Sequence, residues 1–230
     1  MISKLARSAG EALADVADGA TVMVGGFGAA GQPIELIDAL IAQGADDLTV
    51  VNNNAGNGDT GLAALLATGR VRKIVCSFPR QVDSDVFDAL YRSGRIELEL
   101  VPQGTLAERI RAGGAGIAAF YTPTGFGTPL SAGKETRRFA GRDYVLETAL
   151  TADVALIKAH RADRLGNLVY RKTARNFGPL MASAAGMTVA QVNEVVPVGA
   201  LDPEAIVTPG IYVDRVVAVA AGATHAEEVP

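Results

Sequence analysis

Short apolar runs alternate with helix-period segments through the first half of the chain, and this alternation constrains the fold more than any other feature. Thr21, Val22, Met23 and Val24 make an uninterrupted run of strand length. A glycine-rich loop follows, and Pro33 stands where a first helical residue would. Ile34, Leu36, Ile37, Leu40 and Ile41 then recur at helical spacing up to Gly44. Residues 48–51 form the next run and end in Asn52, Asn53 and Asn54. A short helix is expected over 62–67, closed by Gly69, then a third strand over 71–76 and a helix over 86–91 that stops near Gly94. A fourth strand is expected over 96–101, and a helix over 105–111 with Thr105 as N-cap and Glu108 three residues on. Strands separated by helices require right-handed crossovers, so the expected fold is α/β, an open, mainly parallel sheet flanked by helices.

The second half has a different texture and predicts a smaller β-rich portion. Residues 120–133 are rich in Thr, Pro and Gly without periodicity and read as a long ordered loop. A hairpin is expected over 136–147, turning at Gly141, Arg142 and Asp143. Residues 154–159 and 168–170 flank another turn at 163–167, residues 189–196 and 211–220 read as later strands, and 224–230 as a frayed tail. No repeat or linker divides the chain, so residues 1–230 are expected to form one domain.

Apolar residues make up 49% of the chain and charged residues 20%, the balance of a folded globular protein. Glycine stands out, with 26 of 230 residues. The glycines cluster between apolar runs, which marks turns and places of close backbone approach. The most informative cluster is Gly25, Gly26, Phe27, Gly28, Ala29, Ala30 and Gly31, ahead of Gln32 and Pro33. Free N–H groups at a helix N-terminus favour an anion, and missing side chains let it come close. Residues 26–31 formally satisfy the dinucleotide fingerprint G-x-G-x-x-G, which also needs an acidic residue at the end of the second strand to hold a ribose. Here Asp46 and Asp47 precede that strand and three asparagines follow it, so a nicotinamide cofactor is disfavoured. A phosphate-bearing ligand and a tight turn without a ligand both stay open.

The same loop carries a family resemblance. Asp18-Gly19, Val22-Met23-Val24, Gly25-Gly26-Phe27, Gly31 and Pro33, at their spacing, resemble the CoA-binding signature of family I CoA-transferases. Four further segments agree in the same order: 50–58 (VVNNNAGNG), 101–116 (VPQGTLAERIRAGGAG), 120–128 (FYTPTGFGT) and 170–177 (YRKTARNF). The resemblance covers nearly the whole chain and is to the A subunits of the 3-oxoacid group. Residues 54–58 and 76–80 look more like members acting on 3-oxoadipate than like those acting on acetoacetate.

The resemblance implies that the seven loop residues from Gly25 to Gly31 contact CoA, which serves as substrate and carrier with no permanently bound cofactor. It implies transfer of CoA from succinyl-CoA to a 3-oxoacid by a ping-pong route, in which a glutamate of a B subunit carries CoA as a covalent thioester. That nucleophile lies in a Ser-Glu-Asn-Gly-type motif, and this chain has no Glu-Asn-Gly. The nucleophile is therefore expected from the B subunit, in an A2B2 heterotetramer of the kind common in the family.

Within this chain the expected contributions are positioning and charge stabilisation. Gln103 follows a strand and precedes a helix N-terminus, so its amide can face a reacting carbonyl. The resemblance places a glutamine of this Pro-Gln-Gly segment beside the catalytic thioester. Asn52 and Asn53, at the C-terminal end of a parallel strand, stand where open sheets bind ligands, and are candidates for substrate binding or for a purely conformational role. Arg80 is a candidate for holding a second substrate carboxylate, weighed against an ordinary surface arginine. Phe126 is a candidate wall of the acyl pocket or a simple loop anchor. Two basic runs, Arg171-Lys172 with Arg175 and Arg70 with Arg72-Lys73, are candidates for the CoA phosphates or for solvated faces.

Other chemistries fit poorly. Glu35, Glu97, Glu99 and Glu108 fall on helices or strand faces, and Glu227 and Glu228 in the tail. The two histidines, His160 and His225, make no metal cluster, so no metal is expected. The single cysteine, Cys76, excludes an intramolecular disulfide and reads as a small core residue despite Lys73 and Arg80 nearby. A net charge of −4, 5% aromatics and no Trp argue against nucleic acid. No apolar stretch approaches membrane-span length, and the first ten residues lack a signal-peptide apolar region, so a cytoplasmic protein is expected. The alternatives are transfer to acetoacetate and a non-catalytic CoA- or nucleotide-binding module.

Overall fold

The computed structural model describes residues 2–219; the tail expected at 224–230, His225 and the last residue of the strand expected over 211–220 lie outside them. The first half follows the local patterns closely. Its elements are α1 (Ala9–Leu13), β1 (Thr21–Val24), α2 (Ile34–Gln43), β2 (Leu48–Val51), α3 (Gly61–Ala67), β3 (Val71–Cys76), α4 (Asp85–Arg92), β4 (Glu97–Leu100) and α5 (Gln103–Gly114). Helix α2 stops where expected, with Gly44 in the left-handed conformation at φ 98° and its N–H returned to the Leu40 carbonyl. Helix α5 starts earlier than expected. Pro102 at φ −53° turns the chain into the helix at once, its carbonyl accepting from Leu106 N at 2.8 Å. Thr105 is therefore no N-cap but a buried residue inside the first turn, its Oγ1 without a hydrogen-bond partner.

The second half comprises β5 (Ala119–Thr122), β6 (Thr136–Phe139), β7 (Arg142–Thr148), β8 (Ala152–Asp163), β9 (Leu168–Val169), α6 (Gly178–Ala184), β10 (Ala185–Val196) and β11 (Arg215–Ala218). The segment read as a loop over 120–133 begins as a strand, because β5 finds an antiparallel partner in β7. The expected hairpin forms between β6 and β7, but turns at Ala140 and Gly141, both at positive φ, rather than at Gly141–Asp143. Residues 210–212 form a single 3₁₀ turn, so β11 starts later than the apolar run. Helices α1 and α6 have no expected counterpart.

The main sheet runs β11-β10-β8-β1-β2-β3-β4, with β9 hydrogen-bonded to β8. Its pairings are parallel except β8 with β9. Alternate strand residues sort into two cores. Val22, Val24, Val50, Ile74, Cys76 and Leu156 pack with Leu36, Leu40, Leu66 and Phe87 of α2, α3 and α4. Met23, Val51, Val75 and Ile157 pack on the other face with Leu106 and Ile110 of α5 and Met181 of α6. The small sheet β5-β7-β6 is tied to α5, where Arg109 Nε donates to the Thr148 carbonyl at 2.9 Å and Leu150 N to the Arg109 carbonyl at 2.8 Å.

From β1 the chain builds outward through β2, β3 and β4; β8, β10 and β11 return to the other side of β1. Strand order reverses between β1 and β8, and the C-terminal ends of such neighbours open a crevice. No helix among the described residues is long and apolar enough to cross a membrane.

Candidate active site at the strand reversal

A cleft of about 710 Å³ occupies this crevice. Its walls are Ala29, Ala30, Gly31 and Gln32 after β1, Ile34 and Glu35 at the start of α2, and Asn57 and Thr60 after β2. Lys158, Ala159 and His160 of β8, residues 171–174 and Asn193 of β10 complete it. Lys158, Arg171 and Lys172 give the cleft a basic lining, against one carboxylate, Glu35, which accepts a hydrogen bond from buried Gln191. The size suits a large ligand and the charge suits an anionic one.

The glycine loop is shaped first by the protein itself. Gly25 N donates to the Leu156 carbonyl of β8 at 2.8 Å, Gly26 N to Asn176 Oδ1 at 3.2 Å, and Phe27 and Ala30 exchange backbone hydrogen bonds. Asn176 also donates from Nδ2 to the Ala30 carbonyl at 3.0 Å, so one side chain clasps both ends of the loop. Gln32 closes it from beneath, its Nε2 donating to the Gly28 carbonyl at 2.8 Å. The N–H groups of Gly28, Ala29 and Gly31 take no acceptor among the described residues. Of the seven residues expected to contact a ligand, Ala29, Ala30 and Gly31 line the cleft; Gly25, Gly26, Phe27 and Gly28 do not.

A second group of candidates meets farther along the same sheet edge. Asn53 Oδ1 accepts from Gln103 Nε2 at 2.9 Å and from Ser77 Oγ at 2.8 Å. Asn52 Nδ2 donates to the Val24 carbonyl at 2.6 Å, tying the end of β2 to β1. Both asparagines are buried, whereas Gln103, the first residue of α5, is exposed. The fold therefore brings Asn53, Ser77 and Gln103 together from the ends of three neighbouring strands. Arg80 lies in the loop after β3 and donates to Asp88 Oδ1 of α4 at 2.7 Å. Phe126 is exposed in the turn after β5, with its backbone N–H bonded inside that turn. Neither residue lines the cleft.

The two basic runs separate. Arg171 and Lys172 line the cleft, whereas Arg70 and Arg72-Lys73 sit at the start of β3, at the opposite edge. There Arg70 donates to the Ile41 carbonyl, and Arg72 and Lys73 pair with Asp47, Glu97 and Glu99. Burial alone would raise the Glu99 pKa, but hydrogen bonds from Arg109 and Lys73 hold it below the usual carboxylate value. Cys76 is wholly enclosed, and burial pushes its thiol up to about 12, so it is a core residue and no nucleophile at neutral pH. Glu35, Glu97, Glu99 and Glu108 each have a partner within the chain. No group of His, Cys, Asp and Glu that would hold a metal ion occurs among the described residues.

Sequence patterns did not point to Lys158 or Asn193. They sit far along the chain from the glycine loop, and only the parallel pairing of β1 with β8 and of β8 with β10 brings them to it. The asparagine in the segment 170–177 was visible as part of a motif, but not its role as a clasp.

Residues 6–219 match the family model described as coenzyme A transferase. The chain is 66% identical to the A subunit of 3-oxoadipate CoA-transferase from Pseudomonas putida, over 97% of this chain and 96% of that protein. It is 57% identical to the A subunit of succinyl-CoA:3-ketoacid coenzyme A transferase from a Xanthomonas campestris strain, over 88% of this chain and 83% of that protein. The fold superimposes on an acyl-CoA transferase from Escherichia coli with a TM-score of 0.84 at 24% identity, covering 95% of this chain and 47% of that longer one. With the anion-suited cleft at the strand reversal, these findings show that the chain belongs to the coenzyme A transferase family.

Proposed function

We propose that this chain is the A subunit of a two-subunit enzyme that moves CoA from succinyl-CoA to 3-oxoadipate in the cytoplasm. The acceptor follows the relative with 66% identity, named for 3-oxoadipate, over the 57% relative named for 3-ketoacids. One observation carries the division of labour. The chain supplies a basic cleft and an exposed amide at one sheet edge, yet Glu35, Glu97, Glu99 and Glu108 are each held by a partner within the chain.

In this reading the cleft binds the phosphates of CoA. Lys158, Arg171 and Lys172 supply positive charge, and the N–H groups of Ala29 and Gly31 donate. Gln103 faces the thioester carbonyl of the acyl-CoA while the glutamate on the B subunit makes its attack. Its Nε2 donates to the oxygen as negative charge develops there, which stabilises the transition state more than the ground state. That attack breaks the C–S bond and leaves a succinyl-glutamyl anhydride; the freed CoA thiolate then attacks the glutamyl carbonyl and releases succinate. The resulting glutamyl-CoA thioester stays on the B subunit until the 3-oxoacid takes the CoA, which gives ping-pong kinetics. Arg80 holds the second carboxylate of 3-oxoadipate, and Phe126 borders the acyl group.

The test is an assay of succinyl-CoA-dependent 3-oxoadipyl-CoA formation by the purified chain, alone and with a candidate B subunit. The expected result is activity from the pair and none from the single chain. Activity from the single chain would refute the split site, and none from the pair would favour a CoA-binding module without catalysis.

A further inference from the structure

Asn53 is 2% exposed, and the two donors on its side-chain oxygen come from the ends of two other strands. A carbonyl oxygen has two lone pairs, so Ser77 and Gln103 saturate it from within the chain. Its backbone carbonyl is equally engaged, accepting from Ser77 N at 3.2 Å and Phe78 N at 3.0 Å. Asn53 is thus built into the junction of β2 and β3. Gln103 is its opposite: exposed, on the first turn of α5, with a flexible side chain whose amide can turn either end outward.

We propose that Asn53 is a positioning residue that fixes the Gln103 amide with its nitrogen toward the reacting carbonyl, and that Ser77 holds Asn53 in place for this task. One N–H of Gln103 Nε2 is given to Asn53, and the second remains for the developing oxyanion. A reversed amide would present its own oxygen to that negative charge and raise the barrier. Asn53 therefore reaches the reaction only through Gln103 rather than by binding substrate directly. The inference rests on the role given to Gln103 in the proposed function.

The experiment uses the complex with the B subunit. It compares Gln103→Ala, Asn53→Ala and the double variant, with kcat and KM for succinyl-CoA measured separately. Gln103→Ala is expected to lower kcat by about 100-fold, the loss typical of one oxyanion donor. Asn53→Ala is expected to lower kcat by at least about tenfold with KM changed less than about twofold, and to add less than about twofold to the loss in Gln103→Ala. Ser77→Ala, at a half-buried site, gives a smaller loss with the same non-additivity, and carries the test if Asn53→Ala fails to assemble. Losses that multiply in the double variant, or an effect on KM alone, would overturn the positioning role and leave the proposed function standing. Wild-type kcat in Gln103→Ala would overturn the role of Gln103 and this inference with it.

Discussion

Gly31 and Ala174 meet at the base of the cleft: a Cβ on Gly31 would stand 2.6 Å from the Ala174 carbonyl oxygen. The contact joins the loop after β1 to the segment that carries Arg171 and Lys172, and Gly31 takes φ +78° to make it. Gly28 has a similar φ, +59°, but its missing Cβ would meet nothing within 4 Å. Gly31→Ala should therefore lose about 2 kcal/mol or more, from overpacking added to left-handed strain. Gly28→Ala should lose about 1 kcal/mol, from the strain alone. Urea unfolding of the two variants checks this, and equal losses would contradict the close-packing account.

The cleft cations should act on binding rather than on chemistry. Lys158→Ala and Arg171→Ala are each expected to raise KM for succinyl-CoA roughly tenfold with little change in kcat, an effect of about 1.4 kcal/mol that shrinks with added salt. Arg72→Ala is the control. Arg72 lies at the opposite edge of the sheet, paired with Asp47 and Glu97, and should leave KM unchanged. A rise in KM for Arg72→Ala equal to the others would remove the cleft as the CoA site.

Arg80 offers a test of acceptor choice. Its guanidinium is anchored through Nε on Asp88, at the C-terminal edge of β3. Arg80→Ala is expected to lower kcat/KM for 3-oxoadipate by roughly tenfold or more and to spare acetoacetate, which has no second carboxylate. An unchanged ratio between the two acceptors would show that Arg80 does not read that carboxylate.

Two buried groups set the alkaline limit of stability. Burial pushes Cys76 up from 9.0 to about 12, and Tyr170 up from 10.0 to about 12 against an opposing hydrogen bond to Thr208. Both favour their protonated form in the folded state. Their stabilisation is complete below the unfolded pKa values and is lost as pH rises through the window from there to the folded ones. Stability should fall from about pH 9 upward, less steeply in Cys76→Ala, as measured by denaturant midpoints against pH. Native protein should also leave Cys76 unreacted with a thiol reagent at pH 8 until it is unfolded.

Glu99 works in the other direction. Its pKa is lowered because hydrogen bonds from Arg109 and Lys73 outweigh its burial. Its contribution is present above the ordinary carboxylate range and disappears as pH falls through the folded value. Glu99→Gln should flatten the acid limb of the same stability profile, and an unaltered acid limb would show that the pair does not stabilise the fold.

Elements whose information is local were readable in one dimension. Strands β1 to β4 and helices α2 to α4 follow from short apolar or partly alternating runs, helical spacing and stop signals such as Gly44, since each needs only its own residues and a core to face. Strand β5 was not readable, because Ala119–Thr122 becomes a strand only through β7, more than twenty residues on. The absence of a Glu-Asn-Gly motif was a matter of residue inventory and needed no coordinates.

The site itself divides along the same line. The glycine loop and the place of Gln103 between a strand and a helix could be inferred from neighbours in the chain. That Asn176 clasps the loop, that Lys158 faces it across the cleft, and that Gln103 rests on Asn53 fifty residues earlier depend on strand order. Crossover connections place strand ends side by side without regard to their separation in sequence, and no local pattern encodes which ends will meet. The chain's own letters thus settle the α/β alternation and the residues available for chemistry, and the packed sheet settles which of them act together.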